Sequence, residues 1–137
     1  MYIAGIPAGT SDFAEIRNEK FYYIDKTAFI EELLKTRGTK ATLITRPRRF
    51  GKTLNMNMLS EFFDIRKDSK ELFEGLYISN NKEICKDWMN QYPVISLSFR
   101  TVDRLDFNSA AEQLKTIFSD IYIEHYYLLE IMWAQSR

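Results

Sequence analysis

"TLITRPRRFGKTLN", Thr42 to Asn55, is the stretch on which the reading of the fold depends. It closes on Gly51-Lys52-Thr53, the end of the phosphate-binding pattern G-x-x-x-x-G-K-[ST], but Arg46 stands where that pattern has its first glycine. A triphosphate packs several negative charges close together, and backbone N–H groups at the start of a helix are suited to hold it. Glycine at position 51 lets the backbone approach the phosphates, and the helix that follows adds its unpaired N–H groups and the positive end of its dipole. In that reading Lys52 reaches the β and γ phosphates as a point charge, and the Thr53 hydroxyl ligates Mg²⁺. The tripeptide alone is weak evidence. A strand before it and an amphipathic helix after it are the context the motif requires.

Both are expected here. "KATLIT", Lys40 to Thr45, reads as a buried strand, too short for a helix and bounded by Gly38 and Pro47. Beyond the loop, Leu54, Met58 and Phe62 lie four apart beside Leu59 and Phe63, which predicts an amphipathic helix from about Lys52 to Asp64. Upstream, "AGIPAGTSDF" is a turn-rich lead-in and "KFYYID", Lys20 to Asp25, reads as a short strand. Asp25 or Thr27 can cap the helix that follows, with Phe29, Ile30, Leu33 and Leu34 on one face and Gly38 placed to end it.

Downstream, "KELFEGLYISNN" suggests a helical turn and a β piece broken at Gly75, and "KEICKDWMNQ" two or three helical turns. "YPVISLSF", Tyr92 to Phe99, reads as a second strand, with Ser96 and Ser98 opening one face. Ser109 with Glu112 forms a capping-box signature for a long helix to about Leu129. Ala110, Leu114, Ile117, Phe118, Ile121 and Tyr122 are its expected inward face. Strands alternating with helices favour an α/β layer architecture with parallel strands.

The 137 residues suit one domain. Apolar residues make up 45% and charged residues 28%, the balance of a globular protein. Lys plus Arg equals Asp plus Glu at 19 each, so no global field draws the chain to nucleic acid or an anionic membrane. One cysteine, Cys85, and one histidine, His125, argue against a disulfide and a zinc site. With no signal-like start and no run of about 18 apolar residues, a cytoplasmic location is expected. Arg46, Arg48 and Arg49 add to phosphate neutralisation, contact a nucleic-acid backbone, or form a solvated turn. Pro47 fixes the turn, and Phe50 is expected to anchor packing.

"FYYIDKTAFIEELL", "TLITRPRRFGKTLNMNMLSEFF" and "YPVISLSF" occur in the order and spacing of the bacterial AAA-ATPase-like domain family, which this chain resembles from about Ile6 to Glu130. Members of that family typically carry an "RPRRFGKT" loop, so the departure at Arg46 is one the family shares. The resemblance implies a P-loop NTPase-type three-layer α/β fold with a parallel sheet. It also implies ATP and Mg²⁺ bound through a variant Walker A loop, Arg46, Pro47, Arg48, Arg49, Phe50, Gly51, Lys52 and Thr53, with Thr53 reaching the metal.

The family places an apolar strand of the form "LIDEYD", and later a nuclease-like domain, after the segment matching Ser109 to Glu130, and neither is in this sequence. The chain is therefore expected to be a single partial domain, "IMWAQSR" the scar of a truncation or frameshift, and the sheet incomplete. Open sheet edges would then favour self-association. No residue is placed for catalysis, although Asp103 and Asp106 are the acids to consider. Hydrolysis is not expected of the chain alone. The rival function is a non-catalytic module whose arginine-rich loop holds nucleic acid or a protein. Asp25-Lys26-Thr27 reads as a helix cap in preference to a nucleotide contact. His125 and Trp88 read as structural residues, and Trp133 as packing or an exposed apolar patch.

Overall fold

The computed structural model describes residues 5–7, 9–36, 41–45, 47, 50–100, 102 and 106–135. The chain divides into two units, Met1–Val94 and Ile95–Arg137.

The first unit begins with a helix that the turn-rich lead-in hides. α1 (Phe13–Asn18) starts where the Asp12 carboxylate accepts the Glu15 N–H at 3.1 Å, and it turns Phe13 and Ile16 into the interior. Asp12 and Glu15 have the spacing of a capping box, a signal that was available in the sequence. α2 (Ala28–Lys35) and α3 (Lys52–Phe63) form where their apolar spacing predicts. α2 buries Ile30, and α3 buries Met58 and Phe62. The α2 stop expected at Gly38 lies outside the described residues.

α4 (Lys70–Phe73) and a 3-10 turn at Tyr77–Asn80 flank Gly75, whose φ of 76° turns the chain between them. α5 (Lys82–Trp88) follows, with the Asn81 side chain accepting the Ile84 N–H at 3.2 Å. One cluster joins these pieces: Phe13, Ile30, Met58, Phe62, Phe73, Leu76 and Ile78 are buried together. Phe73 is its aromatic centre, with ring centroids 4.9 Å from Phe13 and 5.2 Å from Phe62. Each large apolar side chain so buried contributes about 1.5–3 kcal/mol. Arg17 fastens α1 to the end of α4 by donating to Leu72 O at 2.7 Å and Glu74 O at 2.8 Å.

The far end of α3 is held by polar groups. Asn90, at φ 54°, donates from Nδ2 to the carbonyls of Glu61 and Asp64 at 3.0 Å each, and accepts the Ser69 N–H at 3.1 Å. Asp64 is fully buried and pairs with Arg66 at 2.6 Å, while Glu61 pairs with Lys67 and accepts the Ser69 hydroxyl at 3.0 Å. The α3 helix is thus fixed at its C-terminal end.

The expected three-layer α/β fold is not what forms. Among the described residues the regular structure is helical, and β pairing is limited to an isolated parallel bridge between Asp64 and Tyr92. The segments patterned as strands, Lys20 to Asp25, Lys40 to Thr45 and Tyr92 to Phe99, form no strand among their described residues, and Tyr92 makes only the isolated bridge. Leu43 is 87% exposed, and Ile95, Leu97 and Phe99 are also open to solvent, so their apolar side chains fill no sheet core. The physical reason is that a strand's N–H and C=O groups bond only to a neighbouring strand, whereas a helix closes its own bonds within four residues. With no sheet among the described residues there is no sheet edge, and self-association through open edges loses its basis.

In the second unit, α6 (Phe107–Glu124) starts three residues earlier than the Ser109 box predicts a cap. Asp106 is the N-cap and accepts the Ser109 N–H at 2.9 Å and the Ser109 hydroxyl at 2.6 Å. The helix breaks at His125, which is buried with its ring Nδ1 2.9 Å from Ile121 O, before α7 (Tyr127–Gln135). Of the expected inward face, Ala110, Leu114, Ile117 and Ile121 are half-buried, while Phe118 and Tyr122 are exposed. Trp133 is exposed too. Among the described residues no helix is long and apolar enough to cross a membrane.

Candidate functional site

The first turn of α3 carries the residues of the loop motif. Gly51 sits directly before the helix in the left-handed conformation, φ 74° and ψ 25°, and its carbonyl accepts the Asn55 N–H at 2.9 Å. The N–H groups ahead of Asn55 have no carbonyl within the helix, which is the condition for anion binding at a helix start. That first turn contains no acidic residue. Lys52 and Thr53 have exposed side chains there.

Beside this turn is a cavity of about 420 Å³. α3 lines it with Lys52 and Asn55, three residues apart and so on one face. Phe29 and Glu32, also three apart, line it from α2, with Lys26 just ahead of that helix. Ile44 and Phe50 complete the wall from either side of the loop. Among the described residues, two lysines, one glutamate and two phenylalanines therefore line one concave space. The Asn55 Oδ1 is buried and has no hydrogen-bond partner.

Of the residues expected from the loop motif, Gly51, Lys52 and Thr53 stand together at the helix start, and Pro47 is exposed. Arg46, Arg48 and Arg49 lie outside the described residues. Phe50 is not the packing anchor expected of it: it is 56% exposed and lines the cavity. Lys26, Glu32 and Asn55 were missed as cavity residues because sequence alone does not show that α2 and α3 converge. The spacing Lys52 to Asn55 was the available signal for the last of them.

The side chains of Asp25 and Thr27 do not form the cap bond expected for α2 but tie its start to the 3-10 turn. Thr27 occupies the N-cap position but makes no side-chain cap bond. Its buried hydroxyl donates to Asp25 Oδ1 at 2.7 Å and accepts the Ile78 N–H at 3.1 Å. Asp25 Oδ1 also accepts the Thr27 N–H at 2.8 Å, and its Oδ2 accepts the Tyr77 N–H at 2.6 Å. Desolvation opposes the Asp25 charge, but the N–H groups of Tyr77 and Thr27 and the Thr27 hydroxyl prevail and hold its carboxyl below the usual range. The pair is a clamp between the start of α2 and the 3-10 turn.

Other candidates have structural roles. The Asp106 carboxylate caps α6, and Asp103 lies outside the described residues. The Cys85 thiol donates to Ile78 O at 3.3 Å, and burial pushes its pKa up, away from reactivity. Trp88 stacks on Tyr92 with centroids 5.0 Å apart. Among the described residues no three His, Cys, Asp or Glu side chains cluster as a metal site.

Residues 7–132 match the AAA-ATPase-like family, described as predicted AAA-ATPase. The chain is also 39% identical over 95 residues to an uncharacterized protein in the vnfD 5' region of Azotobacter chroococcum mcd 1. That alignment takes in 69% of this chain but only 17% of the relative's length. No solved structure matches.

Proposed function

The chain belongs to the AAA-ATPase-like family, and from that premise we propose that it binds ATP with Mg²⁺ at the start of α3. The observation that carries this reading is Gly51, left-handed and lacking a side chain, placed directly ahead of Lys52 at the cavity. Lys52 and the N–H groups of the first turn hold the phosphates, and the Thr53 hydroxyl reaches the metal. Arg46, Arg48 and Arg49 add positive charge along the loop, with Pro47 fixing its turn.

The residues fit the group. A cavity of about 420 Å³ is within the usual range for a small-molecule site, and its mixed lining of rings and charges suits a base at one end and phosphates at the other. Phe50 offers an exposed ring face to a base, and the unpartnered Asn55 Oδ1 is an acceptor for an amino group. Bound ATP supplies a phosphoanhydride for the ATPase activity that the family's name suggests for a whole protein.

Calorimetric titration with Mg-ATP tests the reading. The wild-type chain is expected to bind, and Lys52→Ala to weaken binding at least about tenfold, or 1.4 kcal/mol. Ligand at about a hundred times its dissociation constant should stabilise the wild-type fold by about 2.7 kcal/mol, and a tenfold-weaker variant at the same concentration by about 1.4 kcal/mol or less. Binding that ignores Mg²⁺ and falls steeply with salt would favour nucleic acid instead. No binding at millimolar Mg-ATP overturns the proposal.

A further inference from the structure

The Asp25–Thr27 clamp uses the side chains on both sides of Lys26 and leaves Lys26 itself to the cavity. Asp25 and Thr27 reach the backbone of Tyr77 and Ile78, so this short stretch is fastened at two points to the 3-10 turn. Lys26 lines the cavity with Lys52, and its Nζ lies 3.5 Å from where a Cβ on Gly51 would be. Thus a second ammonium group is held against the glycine that opens α3.

The N-terminus of a helix carries partial positive charge and favours negative partners, and the exposed Lys26 and Lys52 set further positive charge beside it. Among the described residues Lys26 forms no ion pair, and Glu32 is the carboxylate lining the cavity with the two lysines. Lys26 and the helix N-terminus both favour an anion between them, and a polyphosphate supplies one.

Resting on the nucleotide reading above, we propose that Lys26 is a second cationic contact for the phosphate chain, held in place by the clamp that Asp25 and Thr27 form with the 3-10 turn. The motif Asp25-Lys26-Thr27 then has a divided task. Its outer residues join two distant segments, and its middle residue binds the ligand. Lys52 and Lys26 approach the phosphates from α3 and from the start of α2, so binding ties the two helices together.

The test uses the full chain and two probes, Mg-ATP and inorganic tripolyphosphate. Lys26→Ala is expected to weaken both by about tenfold, while Lys26→Arg, which keeps the charge, stays within about threefold of wild type. In the wild-type chain, tripolyphosphate should protect Lys26 from acetylation by acetic anhydride, read by mass spectrometry, and this readout needs no variant to fold. Wild-type binding with an unchanged Lys26→Ala affinity, or with Lys26 acetylated as fast as in the free chain, overturns the inference and leaves the nucleotide reading standing. A wild-type chain that takes neither probe overturns both.

Discussion

At Gly51 a single hydrogen in place of a side chain sets the entry to α3. An L-residue in the left-handed region costs about 1–2 kcal/mol. An added Cβ would meet the flexible end of Lys26 at 3.5 Å, an ordinary contact, so backbone conformation and not collision sets the penalty. Gly51→Ala should therefore lower stability by about 1 kcal/mol in urea unfolding, and Gly51→Asn by less, because asparagine visits that conformation more readily. Equal stability of wild type and Gly51→Ala would mean that the turn is not left-handed. Gly51, Lys52 and Thr53 were legible in the sequence because the motif is contiguous. Lys26, Glu32 and Asn55 were not, since their meeting depends on how two helices pack.

Between elements, the clamp from α2 to the 3-10 turn governs the cavity wall. Thr27→Val keeps the shape but leaves the buried Ile78 N–H without its acceptor, and should cost about 1–3 kcal/mol in chemical denaturation. Loss of less than a few tenths would show that the hydroxyl is dispensable. The clamp also responds to pH. Because hydrogen bonds from Tyr77 and Thr27 lower the Asp25 carboxyl against its desolvation, its contribution is fully present above the unfolded value near about 4 and is lost as pH falls through its lower folded value. Asp64 behaves alike: desolvation opposes its charge, but Arg66 prevails and lowers its pKa. Urea midpoints measured from neutral pH downward should hold steady to about pH 5 and fall below it. Asp25→Asn should flatten part of that fall, and an unchanged acid profile in this variant would remove Asp25 from the account.

For the molecule as a whole, the described residues of the buried cluster and of the cavity all belong to the first unit. A chain of residues 1–94 should therefore unfold cooperatively by circular dichroism and bind Mg-ATP within about threefold of the full chain. A non-cooperative melt would show that the second unit is needed for the first to hold its shape. The chain spans 17% of the curated relative's length.

Local signals in the sequence determined α2, α3 and the turn at Gly51. The apolar stripe of Leu54, Met58 and Phe62 and the glycine before Lys52 each act within a few residues, because helical hydrogen bonds and left-handed turns are closed locally. What only the tertiary structure decided was the fate of the apolar runs at 41–45 and 94–99 and the makeup of the cavity. A run of β-branched and apolar residues becomes a strand only if another strand lies beside it, and a concave site exists only where separate segments converge. Both depend on contacts between residues far apart in the chain, which no local pattern specifies.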